Sequence, residues 1–330
     1  MDITVCFNNV MSFKPADRIP AIELATYWDK TIERWYKEGM PGDYKSDSQV
    51  HEYFGLDRMF RKRFRATNAN CPKPEFHGAA LIKNTEDYHN LKTCLFPKEQ
   101  IDKAELENYA MLREKYQGVF WVQLDGFFWF PRVLFGIEAH MFAFYDNPEL
   151  MKEMNADILE YNLWLIEEIC KICVPNFIMI SEDMSYNNGP MLSKKSFDEF
   201  IAPYYRRLIP HIKKHNIMPI VDSDGDVAEL ICWLEDVGVE GIAPLERMAG
   251  VDVAKIRQNH PSLRMIGAFD KTIMQKGCDA MRAEFERLLP VMKKGGFIPS
   301  VDHQTPPDVS LENYRCYVSL LKEYCQKAVL

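Results

Sequence analysis

From Gly118 onward the chain repeats one unit: a short apolar run, an acidic residue, then a longer segment of helical period. The runs span 119–124 before Asp125, 177–180 before Glu182 and Asp183, 218–221 before Asp222 and Asp224, 241–243 before Glu246, 264–266 before Asp270, and 297–301 before Asp302 and His303. Continuous apolar runs of this length suit strands buried on both faces, and the segments between them are long enough for parallel crossovers. Helices are predicted over 148–173, 194–215, 227–237, 253–259, 278–294 and 310–327. Pro148 suits a first helical turn, Ser193 and Ser310 read as N-caps, and Gly295-Gly296 supplies a left-handed stop. Pro203 and Pro210 inside one helical stretch predict a kink or break there.

Residues 1–117 are less regular: 19–24 is a candidate strand, and 98–116 a candidate amphipathic helix. Six βα units plus one or two upstream give seven or eight, and no Gly-, Ser- or Pro-rich linker interrupts them. The expectation is an α/β fold, a (β/α)8 TIM barrel forming a single domain over 1–330. Residues 1–117 would be an N-terminal helical elaboration with the first barrel strand or strands, and 118–330 the remaining units. A doubly wound sheet would need a glycine fingerprint after its first strand; neither G-x-G-x-x-G nor G-x-x-x-x-G-K-[ST] occurs, so no nucleotide cofactor is expected.

Charge narrows the partners. Lys and Arg number 40 against 48 Asp and Glu, a net charge of −8, and the basic residues are scattered, which argues against nucleic acid. No membrane association is expected, because Gln123, Asp125, Pro131 and Arg132 interrupt the most apolar stretch, 118–137. The first nine residues lack a signal-peptide pattern and the nine cysteines are too few and odd in number for a disulfide scaffold, so a reducing, cytoplasmic location is expected.

In a barrel the strand C-termini converge on one mouth, so acids far apart in sequence become neighbours. Asp125, Glu182, Asp183, Asp222, Asp224, Glu246, Asp270 and Asp302, with His303, would ring it. So many carboxylates in one cavity require protons, cationic partners or a metal. Arg132, Arg247 and Lys271 are the candidate counter-charges. The aromatic run 127–130, which contains Phe128 and Trp129, would wall an apolar pocket or cover the core. Asp222-Ser-Asp224-Gly225-Asp226 has its glycine too early for an EF-hand, and Cys170-x-x-Cys173 lies in a helical stretch without a matching pair, so burial is expected there.

Several segments resemble the uroporphyrinogen decarboxylase superfamily, which includes metal-dependent methyltransferases serving corrinoid proteins. They are FYDNPEL at 144–150, Glu182-Asp183 followed by GPMLS at 189–193, FIAPYYRR at 200–207, Glu246 with AGVD at 249–252, and IGAFDK at 266–271. The start, from RIP at 18–20 through TIERW at 31–35 to EGMP at 38–41, is similar to demethylase-like members. The resemblance implies a TIM barrel. The R-Q-A-G-R loop of the true decarboxylase, which meets a tetrapyrrole's carboxylates, is missing here, which argues against a porphyrinogen substrate.

The thiol-methylating members carry H-x-C and a later Cys as zinc ligands; the matching positions resemble Asp222-x-Asp224 and Asp302-His303. The resemblance thus implies a harder ligand set, Asp222, Asp224, His303 and Glu182, for zinc or another divalent metal. The catalytic candidates are Glu182, Asp183, Glu246 and Asp125, and the substrate-binding candidates Arg132, Phe128, Trp129, Arg247 and Lys271. The leading expectation is transfer of a methyl group from a small O- or N-methylated compound to a corrinoid-binding protein. The alternative is decarboxylation of a small acid. A glycosidase and a non-catalytic binding barrel are the remaining classes. A homodimer is the self-association expected.

Overall fold

Each of the six apolar runs forms a strand, and together with one basic segment they build a parallel sheet. The computed structural model describes residues 2–44 and 46–329; Met1, Lys45 and Leu330, including both ends of the expected 1–330 unit, lie outside it. In chain order the strands are β1 (Met59–Arg63), β2 (Val119–Asp125), β3 (Phe177–Ser181), the two-residue β4 (Ser185–Tyr186) and β5 (Gly189–Pro190), β6 (Met218–Ser223), β7 (Gly241–Pro244), β8 (Arg264–Phe269) and β9 (Phe297–Val301). β4 and β5 pair as a small antiparallel hairpin; the other seven form a sheet in the order β1-β2-β3-β6-β7-β8-β9, parallel throughout. Helices connect successive strands, as a buried parallel sheet requires. The result is a mixed α/β, TIM-barrel-like fold.

β1 was not anticipated as a strand. It reads Met-Phe-Arg-Lys-Arg, so its last three residues hide it from a search for apolar runs. Conversely, residues 19–24 form no ladder. They run beside both ends of the sheet through single hydrogen bonds: the amide of Asp57, just before β1, donates to Ala21 O at 3.0 Å, and the Leu24 amide donates to Ser300 Oγ on β9 at 3.0 Å. A lone parallel bridge joins Tyr27 to Thr305.

The helical expectations hold with shifted ends. The stretch 194–215 breaks at Ile201 into Lys194–Phe200 and Ala202–Lys213, which places Pro203 in a first turn, where its missing N–H costs nothing. Ser193 and Ser310 cap as expected, accepting from the amides of Ser196 and Asn313. The 98–116 segment begins as a 3-10 turn, and its α-helix covers only Lys103–Tyr116. After β2 the apolar stretch forms two helices, Trp129–Phe135 and Ile137–Asp146.

One apolar cluster runs from Ile3 to Ala328. Helix Ile3–Met11 packs against the lower end of the sheet, where Phe7 stacks on Phe177 at 5.7 Å and Phe177 on Trp121 at 5.1 Å. By strand alternation Trp121, Gln123 and Asp125 share one face, so this aromatic stack floors the space that Asp125 overlooks from above. Between β7 and β8 the backbones come so close that a Cβ on Gly267, at φ +120°, would overlap Pro244 O. Cys278 and Cys316 are joined as a disulfide with a Cα–Cα distance of 5.9 Å; Cys170 and Cys173 are free, half-buried and buried. No helix among the described residues is long and apolar enough to cross a membrane.

Candidate active site at the strand C-termini

The acids at the strand ends do gather, but in three different roles. Glu182, fully buried, is an anchor. Its Oε1 accepts from the Phe127 amide at 2.9 Å and the Tyr205 hydroxyl at 2.6 Å, and its Oε2 from the amides of Phe128 at 2.7 Å and Trp129 at 3.1 Å. Burial pushes its pKa up to about 7 while these four donors pull the other way. Gly126 permits this contact, since a Cβ there would overlap the Glu182 carboxyl group. Both oxygens of Glu182, expected as a metal ligand, are engaged by these donors, and it is not among the residues whose potential ligand atoms converge. Phe128, expected at the substrate pocket, has its side chain fully buried beside His140, while its amide donates to Glu182.

Asp302 acts similarly. It is buried and accepts from the amides of Arg247 at 2.8 Å and Lys271 at 3.0 Å, tying the loops after β7 and β8 together; burial raises its pKa to about 6. Asp270 caps the turn that follows β8 by accepting from the Thr272 amide at 2.8 Å.

The second group is the cation-ready one. Ligand atoms of Asp224, Glu246 and His303, at the ends of β6, β7 and β9, all lie within 4.8 Å of one another. His303 Nε2 and Asp224 Oδ2 are 3.6 Å apart, too long for a hydrogen bond, and the facing carboxylate raises the His303 pKa. Two carboxylates and an imidazole make a hard O/N set that suits zinc, manganese or a similar divalent ion. Lys271 Nζ meets Glu246 Oε1 at 2.9 Å, so one ligand already holds a positive charge. Glu246 joins this set from the expected catalytic group, while Asp222 and Glu182 are absent from it.

The third group lines the interior beside it. Asp222 is pushed up to about 7 by burial and then by the charges of Asp224 and Asp183. Asp125 accepts from the Ala66 amide at 2.8 Å, and its other oxygen lies 3.7 Å from Arg63 Nη2; burial raises its pKa. Arg63 Nε is buried without a hydrogen-bond partner, as is Gln123 Oε1, whose amide nitrogen donates to Ser181 Oγ at 2.7 Å. Asp183, at φ +45°, holds Arg132 through both its carbonyl at 2.8 Å and Oδ2 at 2.7 Å. Arg132 also lies over the half-buried Trp129 ring at 5.6 Å. Arg247 turns its guanidinium to Val251 O at 3.0 Å.

Sequence reasoning missed Arg63, Gln123 and Tyr205. Arg63 sits on the strand without an apolar run, and Tyr205 lay in the FIAPYYRR segment without a role attached. A polar residue at the end of an alternate-parity run, as in Gln123 two before Asp125, was the available signal for the second.

The uroporphyrinogen decarboxylase (URO-D) family matches residues 134–324, more than half of the chain, and the chain belongs to that family. A uroporphyrinogen decarboxylase from Chloroherpeton thalassium is 24% identical over 138 residues, 40% of this chain and 38% of that protein. One from Chlorobium chlorochromatii is 23% identical over 142 residues, 41% and 40% of the two chains. The chain thus spans about two fifths of the length of the curated relatives it matches. Among solved structures, a methyltransferase from Methanosarcina mazei superposes with a TM-score of 0.67 at 15% identity, covering 98% of this chain and 99% of that one, a likeness of fold.

Proposed function

We propose that this chain is a metal-assisted methyltransferase or demethylase of the family, moving a methyl group from a small O- or N-methylated compound to a corrinoid protein. The observation that carries the reading is the convergence of Asp224, Glu246 and His303 at three strand ends. A divalent cation held by them would act as a Lewis acid toward the substrate heteroatom. The chain's own residues supply the rest. Asp222, which feels the charges of Asp224, Asp183 and Arg63, would deliver a proton to the heteroatom that keeps the bonding pair when the methyl leaves. Trp129 and the Arg132–Asp183 pair border the same space. The methyltransferase fold of the Methanosarcina mazei protein supports the reading. On this reading residues 1–330 form one cytoplasmic unit, a closed (β/α)8 barrel whose eighth position is the extended segment 19–27.

Elemental analysis of the purified protein, with methyl-cobalamin formation measured on a supplied corrinoid protein, tests the proposal. A loss of about one metal per chain, together with a loss of methyl transfer, is expected in Asp224→Asn and His303→Gln. A metal-free chain that forms no methyl-cobalamin with added zinc or manganese would overturn it.

A second reading rests on Arg63. A half-buried Arg63 whose Nε is buried without a partner, close to Asp125, would be a receptor for a substrate carboxylate with an acid at hand, the requirement of a decarboxylase that protonates the carbanion left by carbon dioxide. The two uroporphyrinogen decarboxylases matched by the chain favour it. Release of carbon dioxide without methyl transfer would select it.

A further inference from the structure

A second ligand cluster lies away from the strand ends, on the outer helices. Glu167, near the end of helix Pro148–Cys170, faces His211 in the last turn of helix Ala202–Lys213 and His215 just beyond it. His211 and His215 are four residues apart, the spacing that puts two imidazoles on one helical face. His211 Nε2 lies 3.0 Å and His215 Nε2 3.2 Å from Glu167 Oε1, and ligand atoms of all three residues fall within 4.8 Å of one another.

The ring of His211 is oriented for ligation. Its Nε2 is a buried atom without a hydrogen-bond partner, and it faces Glu167 Oε1. We propose that Glu167, His211 and His215 form a divalent transition-metal site, with zinc the ion of best chemical fit: two imidazoles and one carboxylate, with the fourth position left to water.

Lys214 Nζ now occupies the Glu167 carboxylate at 2.5 Å. Its stem is half-exposed and flexible, so the ammonium is a displaceable competitor. The site would clip two helices that also serve the strand ends. Tyr205, which holds Glu182, precedes His211 by six residues, ~9 Å along the helix, and Asn162, which donates to Asp125 O at 3.1 Å, precedes Glu167. It is independent of the function proposed above.

The test uses the full chain with the strand-end set disabled by Asp224→Asn and His303→Gln, titrated with zinc by equilibrium dialysis and with cobalt(II) by visible absorption. About one equivalent of zinc and a cobalt d–d band should remain in this background. Both should vanish on adding His215→Asn, with circular dichroism in EDTA unchanged. Because a damaged fold would also lose the ion, Lys214→Met reads the site with every ligand in place; it should tighten zinc binding by about tenfold, in the range of outer-shell effects. No zinc in the background chain, unaltered binding in His215→Asn, or weaker binding in Lys214→Met would each overturn the proposal. Since the background lacks Asp224 and His303, failure here leaves the strand-end reading standing, and the reverse.

Discussion

Lys271 Nζ lies 2.9 Å from Glu246 Oε1, so the carboxylate that completes the strand-end cluster is neutralised by a side chain from the turn after β8. The other oxygen of Glu246 accepts from the Gly225 amide at 3.1 Å, which fixes the carboxylate in place. Removing the ammonium as Lys271→Met frees one ligand oxygen and deletes a like charge from the neighbourhood of a cation. Zinc or manganese affinity is expected to rise by about tenfold, equivalent to about 1.4 kcal/mol. Isothermal titration of the two proteins checks this, and unchanged or weaker binding would count against Glu246 as a ligand.

Glu182 and Tyr205 provide a test of anchoring without chemistry. Tyr205→Phe removes one of four donors to a buried carboxyl and is expected to cost about 1.5–3 kcal/mol, the range for a hydrogen bond to a charged group. Gly126→Ala forces the Glu182 side chain out of its nest of amides and should cost more. Urea denaturation curves measure both; a Gly126→Ala chain as stable as the parent would refute the anchoring role.

Glu23 makes the stability of the fold depend on pH. It is buried against the amides of Ala25 and Val301 and the hydroxyls of Ser300 and Tyr317, and burial lifts its pKa to about 7. In the unfolded chain it titrates near an ordinary carboxyl, so between about pH 4 and 7 the folded state binds the extra proton. Stability from this group is therefore full below about pH 4 and falls as pH rises through 7. Thermal melts should show a lower Tm at pH 8 than at pH 5.5, and Glu23→Gln should reduce that difference by ~2 °C or more. Equal slopes in the two proteins would sink the prediction.

Arg63 separates the two functional readings. If a substrate carboxylate docks on its free Nε and Nη atoms, Arg63→Met should lower kcat/KM about 10- to 100-fold for an acid and much less for an uncharged methyl donor. The conservative Arg63→Lys should recover only part of the loss, because an ammonium cannot reproduce the planar fork.

What could be read in advance follows from what each element buries. β2, β3 and β6 to β9 are covered on both faces, so their apolar runs locate them almost to the residue. β1 ends in an exposed Arg61, a Lys62 that pairs with Glu105 on the covering helix and an Arg63 that faces Asp125 in the interior, so the pattern that reveals a core strand is missing from it. The strand-end acids were legible as a set for the same topological reason. Their division of labour was not, since Glu182 and Asp224 differ only in what surrounds them: three consecutive amides and a tyrosine in one case, a histidine and a second carboxylate in the other. Tyr205 illustrates the remainder, an aromatic residue in a helix whose one polar atom finds its partner across the fold.

The segment at 19–27 has a mechanical consequence. It is stitched to Asp57 before β1, to Ser300 on β9 and, through the Ile19 amide, to Cys325 O in the closing helix. A truncation that began the chain after Tyr27 would strip cover from two strand margins at once, leaving unsatisfied backbone groups ready to recruit a neighbouring molecule. The opening residues thus work as a clasp, and shortened versions should self-associate in proportion to how much of it they lose.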